Sequence, residues 1–104
     1  TPCAYVVYDG ARIDKTNDSG REAKITARWL VVIAVKNVAE TADGAPARTD
    51  AQALALATLN ALMGWRPDSR HQPLMLADLP APEFYSGTLY LPLVFQTTTI
   101  LKGN

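Results

Sequence analysis

The residues whose types could carry chemistry are few: His71, Cys3, and the acidic pairs Asp14/Asp18 and Asp9/Glu22. His71 is the only histidine and sits in a polar stretch, Trp65-Arg66-Pro67-Asp68-Ser69-Arg70-His71-Gln72. It has no second His or Cys to share a metal and no plausible nucleophile nearby in sequence, so it reads as a surface histidine. Cys3 is the only cysteine, which excludes an intrachain disulfide and a cysteine-based metal cluster. It lies in an apolar run and is expected to be a buried, inert thiol. The acidic pairs belong to a segment rich in Lys and Arg, where carboxylates are solvated rather than tuned for acid-base work. No glycine-rich phosphate loop, His-Glu-x-x-His, Cys-x-x-Cys or Gly-x-Ser-x-Gly is present. The expectation is a chain with no catalytic residue, no metal and no cofactor, and hence not an enzyme.

The elements that position these residues are organised around one stretch, residues 25–38. It is β-branched and aromatic, contains neither Gly nor Pro, and is apolar on both alternating faces through its middle. It therefore predicts a long strand covered on both sides. A chain of 104 residues can hardly supply both covers. One face, bearing Arg28, Leu30, Val32, Ala34 and Lys36 or the alternate set led by Trp29, is expected to be covered by a segment absent from the chain or by another subunit.

Before it, residues 4–8 predict a short strand ended by the turn signal Asp9-Gly10. Residues 11–24 are polar and mixed in charge, with Asn17, Ser19 and Gly20 as turn formers, so the two strands form a hairpin with a long tip. A tip of this length is either a solvated loop or a contact arm that orders on assembly. After the long strand, residues 39–48 are small, polar and broken by Gly44 and Pro46, which predicts a surface connection. Thr49 as N-cap, Gln52 at the capping-box position and Asp50 in the first turn predict a helix over residues 50–63, closed by Gly64. Its apolar stripe is read as Leu56, Leu59 and Met63, widened by Leu62, and is expected to pack on the long strand. Trp65 is placed to fold back over the helix end. Arg66 and Arg70, arginines beside a tryptophan, fit either a solvated turn or a subunit contact.

Residues 74–77 predict a short extended piece, and Pro80 and Pro82 then forbid helix and central strand alike. Residues 83–86 and 88–100 are strand-like and separated by Gly87, with Pro92 pointing to an edge or a bulge. From Gln72 to the end only Asp78, Glu83 and Lys102 are charged, which suggests a partner surface. The predicted fold class is α+β: a mostly antiparallel sheet with one main helix packed on one face and a long hairpin arm. Residues 1–104 are expected to form a single domain, and the Thr-Pro start is consistent with a missing N-terminal segment.

Ten basic and ten acidic residues give a net charge of zero. That removes the field a nucleic-acid or anionic-membrane binder uses, so neither sequence-specific nucleic acid nor membrane is an expected partner. Trp29, Tyr5, Tyr8, Tyr90 and Phe95 could stack bases on a sheet, but no basic stripe accompanies them. The longest apolar run is too short to span a bilayer, and one cysteine suits a reducing, cytosolic compartment.

The order of several pieces carries a resemblance. Val6-Val7-Tyr8-Asp9-Gly10, the Arg28-Trp29-Leu30-Val31-Val32 strand, the helix-closing Asn60-Ala61-Leu62-Met63-Gly64-Trp65-Arg66-Pro67, then Tyr85-Ser86-Gly87 and Tyr90-Leu91-Pro92-Leu93-Val94-Phe95, together resemble the small tail proteins of Mu-like phages and prophages, in the tail-terminator class. Related proteins usually carry a helical segment before the first strand, and the resemblance implies that such a segment is missing here. The resemblance implies a structural virion protein forming a homo-oligomeric, typically hexameric, ring. Such a ring caps the tail tube at the head-proximal end, stops its polymerisation and offers a surface to neck and head-completion proteins, with assembly in the host cytoplasm. The implied partners are the chain itself, the tail tube protein and the neck proteins. Candidate assembly contacts are Arg12, Lys15, Arg21 and Lys24 on the arm and Trp65, Arg66 and Arg70 after the helix. A neck or tail-completion protein is the nearest alternative. A small non-viral module that binds a peptide or metabolite in a sheet cleft is the alternative of another class.

Overall fold

The structure, a computed structural model, describes residues 3–36 and 45–103, with side chains in the helix from residue 48 onward. The elements are β1 (Cys3–Thr16), β2 (Glu22–Lys36), α1 (Ala45–Leu62), β3 (Met75–Asp78), β4 (Glu83–Tyr85) and β5 (Thr88–Lys102). Strands β1, β2 and β5 run 14, 15 and 15 residues, against a single helix of 18. This overturns the α+β class: among the described residues the chain is mainly β, one antiparallel sheet with one helix lying on it.

The difference has a local cause. Asp9-Gly10, read as the end of the first strand, is a β-bulge instead. Tyr8 pairs with Trp29 and Ala11 with Ala27, so two residues of β1 stand opposite Arg28 alone, and Gly10 takes φ +89°. A second register shift follows between Ile13 and Lys15. The strand runs on through the charged segment to Thr16, because an arm with both faces in water has no apolar alternation to display. The long tip shrinks to residues 17–21. The last two residues of the expected long strand, Asn37 and Val38, and residues 39–44 of the expected connection lie outside the described residues.

The sheet order is β1-β2-β5-β3, with β4 also on β5, and every pair is antiparallel. β4 and β5 form a tight hairpin over Ser86 (φ 52°) and Gly87 (φ 79°), two left-handed residues as a type I′ turn requires. Pro92 pairs with Val32 on one side, but on its other side β5 has no strand partner among the described residues between Tyr90 and Val94. There a missing N–H removes no ladder bond, which reconciles a proline with an inner strand.

The helix begins five residues earlier than its capping signals indicated. Pro46 stands in the first turn, where its absent N–H is one the helix could not satisfy anyway, and Thr49 is internal. The C-terminal end agrees with expectation: Gly64 has φ +80° and donates its N–H to the Leu74 carbonyl. The buried helix face also departs from the Leu56/Leu59/Met63 stripe. Ala51 and Ala55 are the buried residues, flanked by Leu54, Leu59 and Leu62, while Leu56 is 63% exposed and Met63 54%. Alanines win because a helix with small side chains on one face approaches the sheet closely enough to bury them. Against them lie Val31, Ile33 and Val35 of β2 and Leu89, Leu93 and Phe95 of β5, with Leu74 at the rim.

An 18-residue helix spans about 27 Å, whereas 15 residues of strand span about 50 Å. The helix covers one half of one face, and the rest of β1, β2 and β5 projects beyond it. The molecule measures 59 × 23 × 18 Å with a radius of gyration of 17.2 Å, where a compact chain of this length has about 13 Å. Cys3, expected to be buried, is exposed, since β1 is an edge strand that no element covers.

Candidate functional site

The projecting arm consists of three strands, because β5 pairs with β2 down to Lys102 opposite Glu22. Asn17 shapes its tip. The side-chain Oδ1 accepts from the backbone N–H groups of Arg21 (3.1 Å) and Glu22 (3.2 Å) and from the Ser19 hydroxyl (3.1 Å), and Gly20 supplies φ +74°. Midway, the second bulge turns Asp14 over β2. Its carboxylate takes the Arg12 Nε–H at 2.6 Å and the Thr26 hydroxyl at 2.5 Å, and Thr26 in turn lies 3.0 Å from the Thr98 hydroxyl on β5. The Thr26 hydroxyl first, then the Arg12 guanidinium, hold the Asp14 carboxyl below its ordinary range. This chain of contacts ties the three strands where no helix supports them.

Four of the expected contact residues sit on this arm. Arg12 is paired with Asp14. Lys15 and Lys24 stand directly opposite one another, a like-charge pair that weakens the ladder. Among the described residues Lys15, Lys24 and Arg21 make no ion pair, so three cations are presented at the arm's far half beside Glu22, which lies 3.8 Å from Lys102.

The other three expected residues lie in the loop after the helix, which is strapped along β5 at the root of the arm. Gln72 N–H donates to the Thr98 carbonyl (2.7 Å), the Thr97 hydroxyl to the Gln72 carbonyl (2.8 Å) and the Thr99 hydroxyl to the Arg70 carbonyl (3.0 Å). Asp68 closes the loop on itself by accepting from Arg70 N–H (2.8 Å) and His71 Nδ1 (2.7 Å). The His71 ring, and after it the Arg70 amide, lower the Asp68 pKa. His71 thus staples the loop. Arg70 lines an open trough of about 770 Å³ with Ile25, Thr99, Leu101 and Lys102. Trp65 lines an adjoining apolar groove of about 350 Å³ with Val6, Trp29, Leu62, Leu74 and Phe95. Tyr8 packs on Trp29 with ring centroids 4.8 Å apart, at the mouth of that groove. Among the described residues Arg66 and Arg70 form no ion pair.

The seven residues therefore fall into two groups, an arm and a root, not one pocket. Sequence reasoning missed Asp14 and Thr26, whose roles depend on a bulge that no local signal distinguishes from a turn. It also left unresolved which face of β2 the helix would take. The helix takes Val31, Ile33 and Val35, so the set Arg28, Leu30, Val32, Ala34 and Lys36 faces away from it, with Ala34 and the neighbouring Val94 of β5 buried, Leu30 and Val32 half-buried and Arg28 and Lys36 exposed. Directly paired residues share a face, so Tyr5 and Val7 of β1, 52% and 47% exposed, and Tyr90 and Pro92 of β5 extend that apolar surface.

Among the described residues no group of three His, Cys, Asp or Glu could hold a metal ion, and no helix is long and apolar enough to cross a membrane. No curated protein matches the sequence. What the geometry offers is contact surface: a charged arm, an apolar groove at its root and the exposed apolar strand β1 with Tyr5 and Val7, all suited to assembly. A family model for the phage tail terminator protein matches residues 1–104, the whole of the sequence, and the chain thus belongs to that family of structural phage tail proteins.

Proposed function

We propose that the chain is the terminator of its tail: copies form a closed ring, a hexamer, that caps the last ring of the tail tube, halts polymerisation and presents a surface to neck and head-completion proteins. It works without catalysis, at the head-proximal end of a virion tail assembled in the host cytoplasm, in a phage of the Mu-like group. The observation that carries the reading is the family match over the full chain, joined to an arm that projects from a small core beyond the helix. In this reading residues 12–24 reach toward the tube or the lumen, and Arg66 and Arg70 lie at contacts between subunits. Arginine suits such contacts because its planar fork stacks and pairs at once.

Light scattering coupled to size exclusion at physiological salt, alone and with tail tube, tests the ring; a protein that stays monomeric in both refutes it. Electron microscopy of a deletion strain tests termination, which requires tails of uncontrolled length. Tails of normal length that fail to join heads would instead assign the neck role. A stable monomer that takes a peptide or metabolite in the apolar groove of Trp65, Leu62, Leu74 and Phe95 would instead favour the small binding module.

A further inference from the structure

We propose that the open edge of β1, residues 3–8, is completed by the β3 edge (Met75–Asp78) of a second copy of this chain, so that the antiparallel sheet continues from one subunit into the next. The proposal rests on the ring reading and names the surface that closes it.

Three observations lead there. First, β1 is an edge strand over its whole length, and residues 3–8 carry none of the devices that protect natural edges. Cys-Ala-Tyr-Val-Val-Tyr has no charge and no proline, and the first bulge comes only after Tyr8. Such an edge leaves a row of N–H and C=O groups ready for another strand. Second, the polarity of the two edges matches. In the order β1-β2-β5-β3 every neighbour is antiparallel, so β1 and β3 run in opposite directions. A copy related by rotation, the same way up, sets its β1 antiparallel to β3, and the operation repeats until it closes. A two-fold axis would pair β1 with β1, leave β3 open and stop at two copies. Third, the flanking side chains agree in character. On the face away from the helix Tyr5 and Val7 would meet Met75, which is 59% exposed; on the helix face Val6 and Tyr8 would meet Leu76. Zero net charge adds no long-range repulsion between copies.

Cysteine cross-linking tests this. Met75→Cys is combined with native Cys3, with Tyr5→Cys or with Val7→Cys, the last two in a Cys3→Ser background, which samples three registers on the face away from the helix. Directly opposed strand residues have Cα separations that a disulfide tolerates. Mild oxidation of the assembled protein is expected to give a covalent ladder beyond the dimer in at least one pair, and only when both cysteines are present. Val7→Lys, at an exposed site, is expected to keep its circular dichroism spectrum and lose assembly. Dimers from a β1 cysteine alone, without a ladder, would assign β1–β1 pairing and overturn the proposal. A ring by light scattering with no cross-link at any register overturns the surface and leaves the ring reading standing. A protein monomeric alone and with tail tube overturns both.

Discussion

The buried face of the helix gives the sharpest test of how this small core is built. Ala51 is 1% exposed and Ala55 7%, packed on Val31, Ile33, Leu89 and Phe95, whereas Leu56 is 63% exposed. Ala51→Leu or Ala55→Leu adds three heavy atoms between helix and sheet at positions that are already buried. Overpacking of this kind is expected to cost about 1–3 kcal/mol. Leu56→Ala removes a side chain that is mostly in water already. At about 0.8 kcal/mol per buried methylene only a few tenths of a kcal/mol are at stake, partly offset by alanine's higher helix propensity. The assay is urea denaturation at 25 °C, followed by circular dichroism at one fixed protein concentration, because association would otherwise shift the midpoint. For a domain near 100 residues each kcal/mol moves the thermal midpoint by about 4–8 °C, which gives an independent reading. Leu56→Ala costing more than about 2 kcal/mol, with Ala51→Leu neutral, would refute this packing and restore the Leu56/Leu59/Met63 stripe.

The arm and its bulge support three further expectations. At Gly10 a Cβ would meet nothing within 4 Å, so Gly10→Ala costs only the positive φ, about 1–2 kcal/mol, read from the urea midpoint; a neutral substitution would argue against the left-handed bulge. Asp14 is held below the ordinary carboxylate range, so it contributes stability that is present above its unfolded pKa of about 3.9 and is lost as pH falls through the lower folded value. Asp14→Asn should flatten the loss of thermal midpoint between about pH 5 and pH 2, and an unchanged slope would exclude Asp14 as its source. Lys15→Glu, which turns the Lys15/Lys24 clash into an opposite-charge pair, should raise amide protection at the arm by about 0.2–1 kcal/mol in hydrogen exchange, and a drop in protection would count against the register shown.

What the sequence revealed and concealed divides along the line between the core and the arm. In the core the signals are visible: β2 in its β-branched apolar run, β5 in its alternation, and Gly87 and Gly64 as the breaks after β4 and the helix, although Ser86, read as strand, belongs to the turn. Along the arm no face is buried for long. Ala11, Arg12, Ile13, Asp14, Lys15 and Thr16 therefore look like a loop, though they pair with β2 as a strand. Gly10 misled for a related reason, since positive φ serves a turn and a bulge equally, and only the partner strand distinguishes them. The helix start was misplaced because Thr49, Asp50 and Gln52 form a plausible cap that the chain does not use.

The same division explains why candidate contact residues are easier to name than to arrange. Charge and aromatic content single out Lys15, Arg21, Lys24 and Trp65 one by one. Their grouping into an arm and a root follows from the length of β5, which carries the sheet past the helix and lets the loop of Arg70 and His71 fasten beside Thr97 and Thr99. A helix long enough to cover the whole sheet would have produced a compact domain with no arm. The half-covered sheet is therefore the physical source of the surfaces that assembly needs. It leaves β1 unprotected at its edge and apolar on its face away from the helix, a state that one isolated copy does not relieve and a neighbouring copy can.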